Sequence, residues 1–296
     1  MPFVILHRKA VAAYLKMKQK LFPWLDRVFR DTDRKHIRRT KNIRLIPAYP
    51  DRRGGKLSYA EWAHVIGIFQ TLLYQELTKK TGANILDIGC GTGLLGISSE
   101  PFVGDGGSYT GIDVMKEDIE FCKSHYSFQN YHFVHFDLAN PTYAGSQSPE
   151  LKPWPVSSGS QDMVTALSVW THLSEKDAIF YFDEIARVLR KGGKAIITFF
   201  ILDEVYESSL SRRSKAPGRY HNTNQVDWIF NKSAYQSKNW FTTPFAHHPE
   251  DAIGVTRAGL DMLLKSSGLS LTQFYQGNWK ENPGVFFQDV LILKKD

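Results

Sequence analysis

ILDIGCGTGLLG, residues 85–96, decides the fold. A short strand, Ile85 to Ile88, breaks into glycines at 89, 91 and 93, and the leucines after them open a helix. Gly91 to Gly96 also spells G-x-G-x-x-G, the spacing of a dinucleotide-binding turn. Such a turn sets pyrophosphate oxygens against backbone N–H groups at a helix N-terminus. Asp87 stands two residues ahead of the first glycine, where its charge repels a pyrophosphate and attracts a cation. The stretch therefore reads as D-x-G-x-G-x-G from Asp87 to Gly93, with glycines that let a ligand approach the backbone.

Outward from this turn, strands and helices alternate. Upstream, Ser58 to Glu61 spells a capping box, and the helix it starts runs to about Lys80. Downstream, GSYTGIDV, YHFVHFDL, DMVTALS and KAIITFFIL read as strands two to five. The helices between them include DIEFCKSHYS and residues 174–190, with Ser174 as N-cap and KGG as the stop. A Pro/Ser-rich loop spans residues 140–160. TRAGLDMLLKSSG is a helix closed by Gly268, and LSLTQFYQ and VFFQDVLILKK are two last strands. Alternation of this kind predicts an α/β fold of three layers, a mostly parallel sheet covered by helices on both faces. Two final strands with no helix between them predict an antiparallel pair at one edge. Residues 203–252 have no clear period and are long for a connection, which marks a functional insertion.

The remaining bulk properties narrow the class. A chain of 296 residues with 42% hydrophobic content buries a large core. Two cysteines, Cys90 and Cys122, imply no disulfide framework and fit a reducing compartment, the cytoplasm. No apolar run approaches the roughly 18 residues of a membrane span, and MPFVIL is too short for a signal-peptide core. The net charge of +7 is concentrated in residues 1–56, a basic arm ahead of a mildly acidic domain over 57–296. Val11, Tyr14, Leu15, Leu21, Leu25 and Val28 recur there at helical spacing, with a break or kink expected at Pro23.

A ligand that carries positive charge and no phosphate suits the glycine turn. S-adenosylmethionine, with its sulfonium and α-ammonium, is such a ligand. ILDIGCGTG resembles motif I of the class I S-adenosylmethionine-dependent methyltransferases, and further stations of that family occur in order over residues 57–296. The resemblance implies a Rossmann-like sheet of seven strands in the order 3-2-1-4-5-7-6 with strand 7 antiparallel. It implies S-adenosylmethionine as cofactor and S-adenosylhomocysteine as product. Asp87, Gly89, Gly91 and Gly93 would surround the methionine part. Asp113 stands where the family places an acid on the ribose hydroxyls, and Asp137-Leu138 match its adenine-contacting pair. Val114 and Leu167 complete the cofactor set. DMVTALSVWTHL matches the family's fourth-strand motif, and EIARVLRKGGKAIITFF matches its next helix and fifth strand. SVWTHL, RVLRKGGKAIITFFILDE and the late GNW…FQDVLILKK are similar to a bacterial subgroup assigned to small-molecule or glycan methylation.

For an acceptor hydroxyl, a base near the end of the fourth strand is well placed. His172 is the first candidate, against a structural role in capping or packing the next helix. Trp170 could line the acceptor pocket, or lie in the core. The insertion offers Tyr220, His221, Trp240, His247 and His248, and Asp203 and Glu204 come directly after the fifth strand. His247 and His248 are adjacent and lack the i, i+4 spacing of a helical ligand pair, so no metal is expected. Cys90 receives no nucleophilic role. NPTY, residues 140–143, comes after the third strand, whereas adenine N-methyltransferases carry N-P-P-Y after the fourth; this argues against DNA as acceptor. No RNA-binding module accompanies the basic charge. The expected function is methylation of a small molecule or glycan, at a hydroxyl ahead of nitrogen or sulfur. The rivals are a nicotinamide-dependent oxidoreductase, which Asp87 opposes, and a non-catalytic cofactor-binding or membrane-docking protein. The arm is read as a lid, a solvated flank, or a contact to an anionic membrane or acidic ligand.

Overall fold

The computed structural model describes residue 17 and residues 21–138 and 151–296. Val11, Tyr14, Leu15 and the NPTY segment lie outside the described residues. Seven strands form the main sheet: β1 (Asn84–Ile88), β2 (Ser108–Asp113), β3 (Tyr131–His135), β4 (Gln161–Ala166), β5 (Leu189–Phe199), β10 (Leu269–Tyr275) and β11 (Asp289–Lys295). Their order is β3-β2-β1-β4-β5-β11-β10. The first five run parallel, while β11 pairs antiparallel with both β5 and β10. This is the 3-2-1-4-5-7-6 order, β10 and β11 being its sixth and seventh strands.

Residues 21–36 are helical (α1), with Pro23 in the first described turn. Asp26 and Arg34 of this helix bond to the chain between Ile46 and Arg52. The next helix, α2 (Tyr59–Glu76), is capped by Ser58, whose hydroxyl accepts from the Glu61 N–H; it stops four residues short of Lys80. Four more helices are α3 (Leu94–Val103), α4 (Lys116–His125), α5 (Glu175–Val188) and α7 (Arg257–Ser267). Ser174 caps α5 and Gly268 closes α7 in the left-handed conformation, both as the sequence predicts. The core lies on both faces of the sheet. One cluster packs α2, α3 and α4 against it, the other α5 and α7.

The 203–252 segment builds structure of its own. After β6 (Ile201–Leu202) come α6 (Glu204–Leu210), β7 (Lys232–Ser233) and β8 (Trp240–Thr242), and β9 (Ile253–Thr256) completes a second sheet in the order β6-β9-β8-β7. The strands are too short for a period to be read in the sequence.

A buried charge cluster pins this addition to the end of the main sheet. The Lys280 ammonium, with no exposed side-chain surface, lies 2.8 Å from Asp203 at the N-cap of α6 and 2.9 Å from Asp289 at the start of β11. Asp289 is itself wholly buried and accepts from the Ile201 and Gly277 N–H groups. Removing one partner strands the other charges in an apolar setting. Lys280→Met should therefore lower unfolding free energy by about 3–5 kcal/mol, read from the urea midpoint; a loss under about 1 kcal/mol would show that the pairing contributes little.

Candidate active site

The residues after β1 make three sharp turns. Gly89, Gly91 and Gly93 all take positive φ, 66°, 48° and 90°. A Cβ at Gly93 would stand 2.6 Å from the Tyr126 ring, and Tyr126 donates its hydroxyl to the Thr92 carbonyl. The close packing here is between protein groups. Gly96 has the same explanation: a Cβ there would lie 3.1 Å from the Tyr109 ring. The last glycine of the G-x-G-x-x-G string thus serves helix–sheet packing.

Most amides of this loop are committed inside the protein. The Ile112 carbonyl accepts from both Gly89 N–H (2.8 Å) and Cys90 N–H (3.1 Å). Gly91 N–H donates to the Asp113 carboxylate at 2.7 Å, and Gly93 N–H to the Cys90 carbonyl. Asp113 also accepts from Met115 N–H at 2.8 Å. Its carboxyl is raised by burial, with the Met115 and Gly91 N–H groups pulling the other way.

Asp87 is more enclosed than its place beside a ligand-binding turn suggests. It is 1% exposed, and its two oxygens accept from the Tyr109 hydroxyl (2.6 Å) and the Thr165 hydroxyl (2.9 Å). Burial pushes its pKa up to about 7 against those two hydrogen bonds.

A cavity of about 600 Å³ opens over the C-terminal ends of β1, β2 and β4. Of the residues expected from sequence, Asp87, Gly89, Gly91, Asp113, Val114, Leu138, Leu167, Trp170 and His172 line it. Gly93 and Asp137 do not. Asp137 Oδ1 is buried with no hydrogen-bond partner among the described residues, between two residues that do line the cavity, Phe136 and Leu138.

His172 lies in a one-turn 3-10 helix, Trp170–His172, just past β4. Its Nδ1 is 2.6 Å from the Glu250 carbonyl. A carbonyl only accepts, so the proton sits on Nδ1 and Nε2 is the basic nitrogen. Burial lowers its pKa, opposed by the Glu250 hydrogen bond and the Asp251 charge, which favours the neutral imidazole. Trp170 belongs to the core, with no exposed surface, although it also borders the cavity.

The acceptor-pocket candidates of the insertion are engaged elsewhere. Asp203 pairs with Lys280 and caps α6, and Glu204 opens that helix. Trp240 is wholly buried in the core. His221 lies 2.9 Å from Glu281, the Arg219 guanidinium stacks over Tyr220, and the backbone N–H groups of His247 and His248 donate to Asp251. None of them lines the cavity. The insertion reaches the site through a backbone carbonyl, that of Glu250.

Several lining residues carry no signal in the sequence. Ser168 has φ 63°, an unusual backbone for a residue with a side chain. It is held by its N–H to the Thr198 hydroxyl (2.7 Å) and by Gln288, which donates to Ser168 Oγ (2.8 Å) and accepts from Thr198. Asp177, at the first turn of α5, is a further acid in the lining, its carboxyl raised by burial. Arg53, Gly54, Gly55 and Lys56, read as part of a separate arm, also line the cavity, and Arg53 reaches Asp118 of α4 at 3.0 Å. Ile46 of the same segment is fully buried in the core. A composition-based boundary could not show this, because what recruits the segment is its packing.

Residues 85–193 match a family model described as a methyltransferase domain. The chain is 27% identical over 159 residues to the tRNA (carboxymethyluridine(34)-5-O)-methyltransferase ALKBH8 of Macaca fascicularis, covering 53% of this chain and 19% of that protein. It is 30% identical over 130 residues to the mitochondrial ubiquinone biosynthesis O-methyltransferase of Schizosaccharomyces pombe, covering 44% of this chain and 43% of that one. The chain thus spans less than half the length of these curated relatives. A crystal structure of an S-adenosylmethionine-dependent methyltransferase from Aquifex aeolicus aligns at 15% identity and a TM-score of 0.43, over 76% of this chain and 88% of that one. The family match, residues 85–193, is seated on the strands that form the cavity and resembles a methyltransferase domain.

Proposed function

We propose that this protein transfers a methyl group from S-adenosylmethionine to a hydroxyl of a small molecule or glycan, with His172 as general base. The observation that carries the reading is the imidazole on the wall of the cavity, fixed by the Glu250 carbonyl and with its pKa lowered by burial. The relatives from Macaca fascicularis and Schizosaccharomyces pombe are both named as O-methyltransferases.

The residues present fit the cofactor. Asp87 and Asp113 flank the loop, a setting that suits a cation and opposes a pyrophosphate, and four of the loop's amides are already bonded within the protein. Phe136 and Leu138, on either side of Asp137, offer apolar contacts to the adenine ring. Asp113 keeps lone pairs for ribose hydroxyls beside those bonded to Gly91 and Met115. When bound, S-adenosylmethionine supplies an electrophilic methyl on an excellent leaving group. What remains for the chain is to orient the acceptor, exclude water and remove one proton. Trp62, Phe136, Trp154 and Leu173 give the cavity apolar walls for the first two tasks. His172 Nε2 takes the acceptor proton, and the Glu250 carbonyl stabilises the imidazolium that results.

His172→Ala should lower kcat by about 10²–10⁴-fold and leave S-adenosylmethionine affinity unchanged, measured by S-adenosylhomocysteine release and calorimetry. His172→Gln, which keeps bulk but takes no proton, should be equally impaired. A Gln variant with normal turnover would transfer the role to Asp177. Because burial lowers the His172 pKa, the acid limb of kcat should fall below the ordinary imidazole value.

Asp87 gives a second test. An acid whose folded pKa is raised contributes stability that is fully present below its unfolded value, near 3.8, and lost as pH rises through about 7. A cationic ligand favours the ionised form. S-adenosylmethionine affinity should therefore rise as pH rises through about 7, and Asp87→Asn should flatten that rise. Parallel pH profiles for the two proteins in calorimetry would separate Asp87 from the ligand's charge.

A further inference from the structure

Helix α1 presents its two faces in the reverse of the usual sense. Asp26, Arg30 and Arg34 are spaced four apart and share one face. That face is turned inward: their side chains are 17%, 11% and 28% exposed. Asp26 pairs through both oxygens with Arg52, at 2.9 and 3.0 Å, and accepts from the Tyr49 N–H. Leu21, Trp24, Leu25, Val28 and Phe29 fall at i, i+3, i+4, i+7 and i+8, the spacing of a stripe that ordinarily faces a core. Here Leu21, Trp24, Val28 and Phe29 are 42%, 60%, 44% and 69% exposed.

The orientation is enforced. The Arg52 side chain has no exposed surface, so its guanidinium depends on Asp26 for a counter-charge. Rolling the helix to bury the apolar stripe would leave that charge unpaired in the interior.

We propose that this stripe docks the protein on an anionic membrane surface. An outward apolar stripe with tryptophan and phenylalanine, flanked by cations, is the composition of a helix that lies in the bilayer interface. Residues 1–56 hold sixteen lysines and arginines against four acids, and Arg27, Lys35, Arg38, Arg39 and Lys41 lie on or just beyond the helix. A second copy of this chain meets the stripe with the same excess of positive charge and is opposed, whereas anionic headgroups are attracted. The anchor also sits beside the cavity, because the residue after Arg52 is the first of the four, Arg53 to Lys56, that form part of its wall. Docking would hold that wall near the lipid surface. The inference goes beyond methyl transfer and stands whether or not the acceptor is a lipid.

The test is flotation of the full chain with vesicles of phosphatidylcholine alone or mixed with phosphatidylglycerol, together with sedimentation velocity in the absence of lipid. The expected result is recovery with the anionic vesicles, weakening as salt rises, and little with the neutral ones. Trp24→Glu with Phe29→Glu should lower the recovered fraction at least about tenfold, and Arg38→Glu with Arg39→Glu should lower it further toward the neutral-vesicle value. Both stripe positions are exposed, so the thermal midpoint and S-adenosylmethionine affinity should stay as in the parent. Equal flotation of parent and variants, no flotation of the parent, or a parent dimer that the stripe variant converts to monomer would each overturn the proposal.

Discussion

The hydrogen bond from Gly91 N–H to the Asp113 carboxylate, 2.7 Å long, is the contact on which the site depends. It joins the loop that leaves β1 to the end of β2, and the Ile112 carbonyl reinforces it by accepting from Gly89 and Cys90. Together these bonds hold three successive glycines in left-handed or near-left-handed backbone and keep the loop down against the sheet. The cavity is the space left above them. The same arrangement suits a cationic ligand better than a phosphate. Loop amides that bond to β2 are not available to a phosphate, and the carboxyls at the ends of β1 and β2 line the floor, where a cationic ligand favours their ionised form. Asp87 contributes to this from inside the sheet, held by Tyr109 and Thr165.

The insertion acts on the site from a distance. Its small sheet begins at β6, directly after β5, and the Lys280–Asp203–Asp289 cluster fixes it to the start of β11. Through that rigid attachment the turn around Glu250 is placed so that its carbonyl meets His172. A backbone carbonyl is a positioning group that no residue type reveals. On the other side of the cavity, Arg53 to Lys56 close the wall, and Arg52 ties them to α1. The segment Arg53 to Lys56 thus borders the cavity and leads to the outward-facing helix, while the insertion fixes the imidazole through the Glu250 carbonyl.

The parts legible in the sequence were those set by local chemistry. The glycine spacing of residues 89–93, Ser58 and Ser174 as caps, Gly268 as a stop and the alternation of strands and helices each come from backbone rules that act over a few residues. The edge pair β10–β11 was readable from the lack of a helix between two apolar runs. What sequence could not supply was pairing across long separations. Asp203 and Trp240 looked available for an acceptor, yet one meets Lys280, 77 positions away, and the other fills the core. Ser168 takes a positive φ only because Thr198 and Gln288, 30 and 120 positions on, bond to it. The segment 42–56 was grouped with the basic arm by its charge, although Asn42, bonded to Gln70 and the Ile97 carbonyl, and the buried Ile46 make it part of the domain.

The loop between β1 and α3 is expected to hold S-adenosylmethionine and to reject a dinucleotide. Isothermal titration calorimetry of the full chain against S-adenosylmethionine and against NAD tests it most directly. One saturable S-adenosylmethionine site, competed by S-adenosylhomocysteine and indifferent to NAD, is the predicted result. Saturable binding of NAD with no heat from S-adenosylmethionine would contradict it.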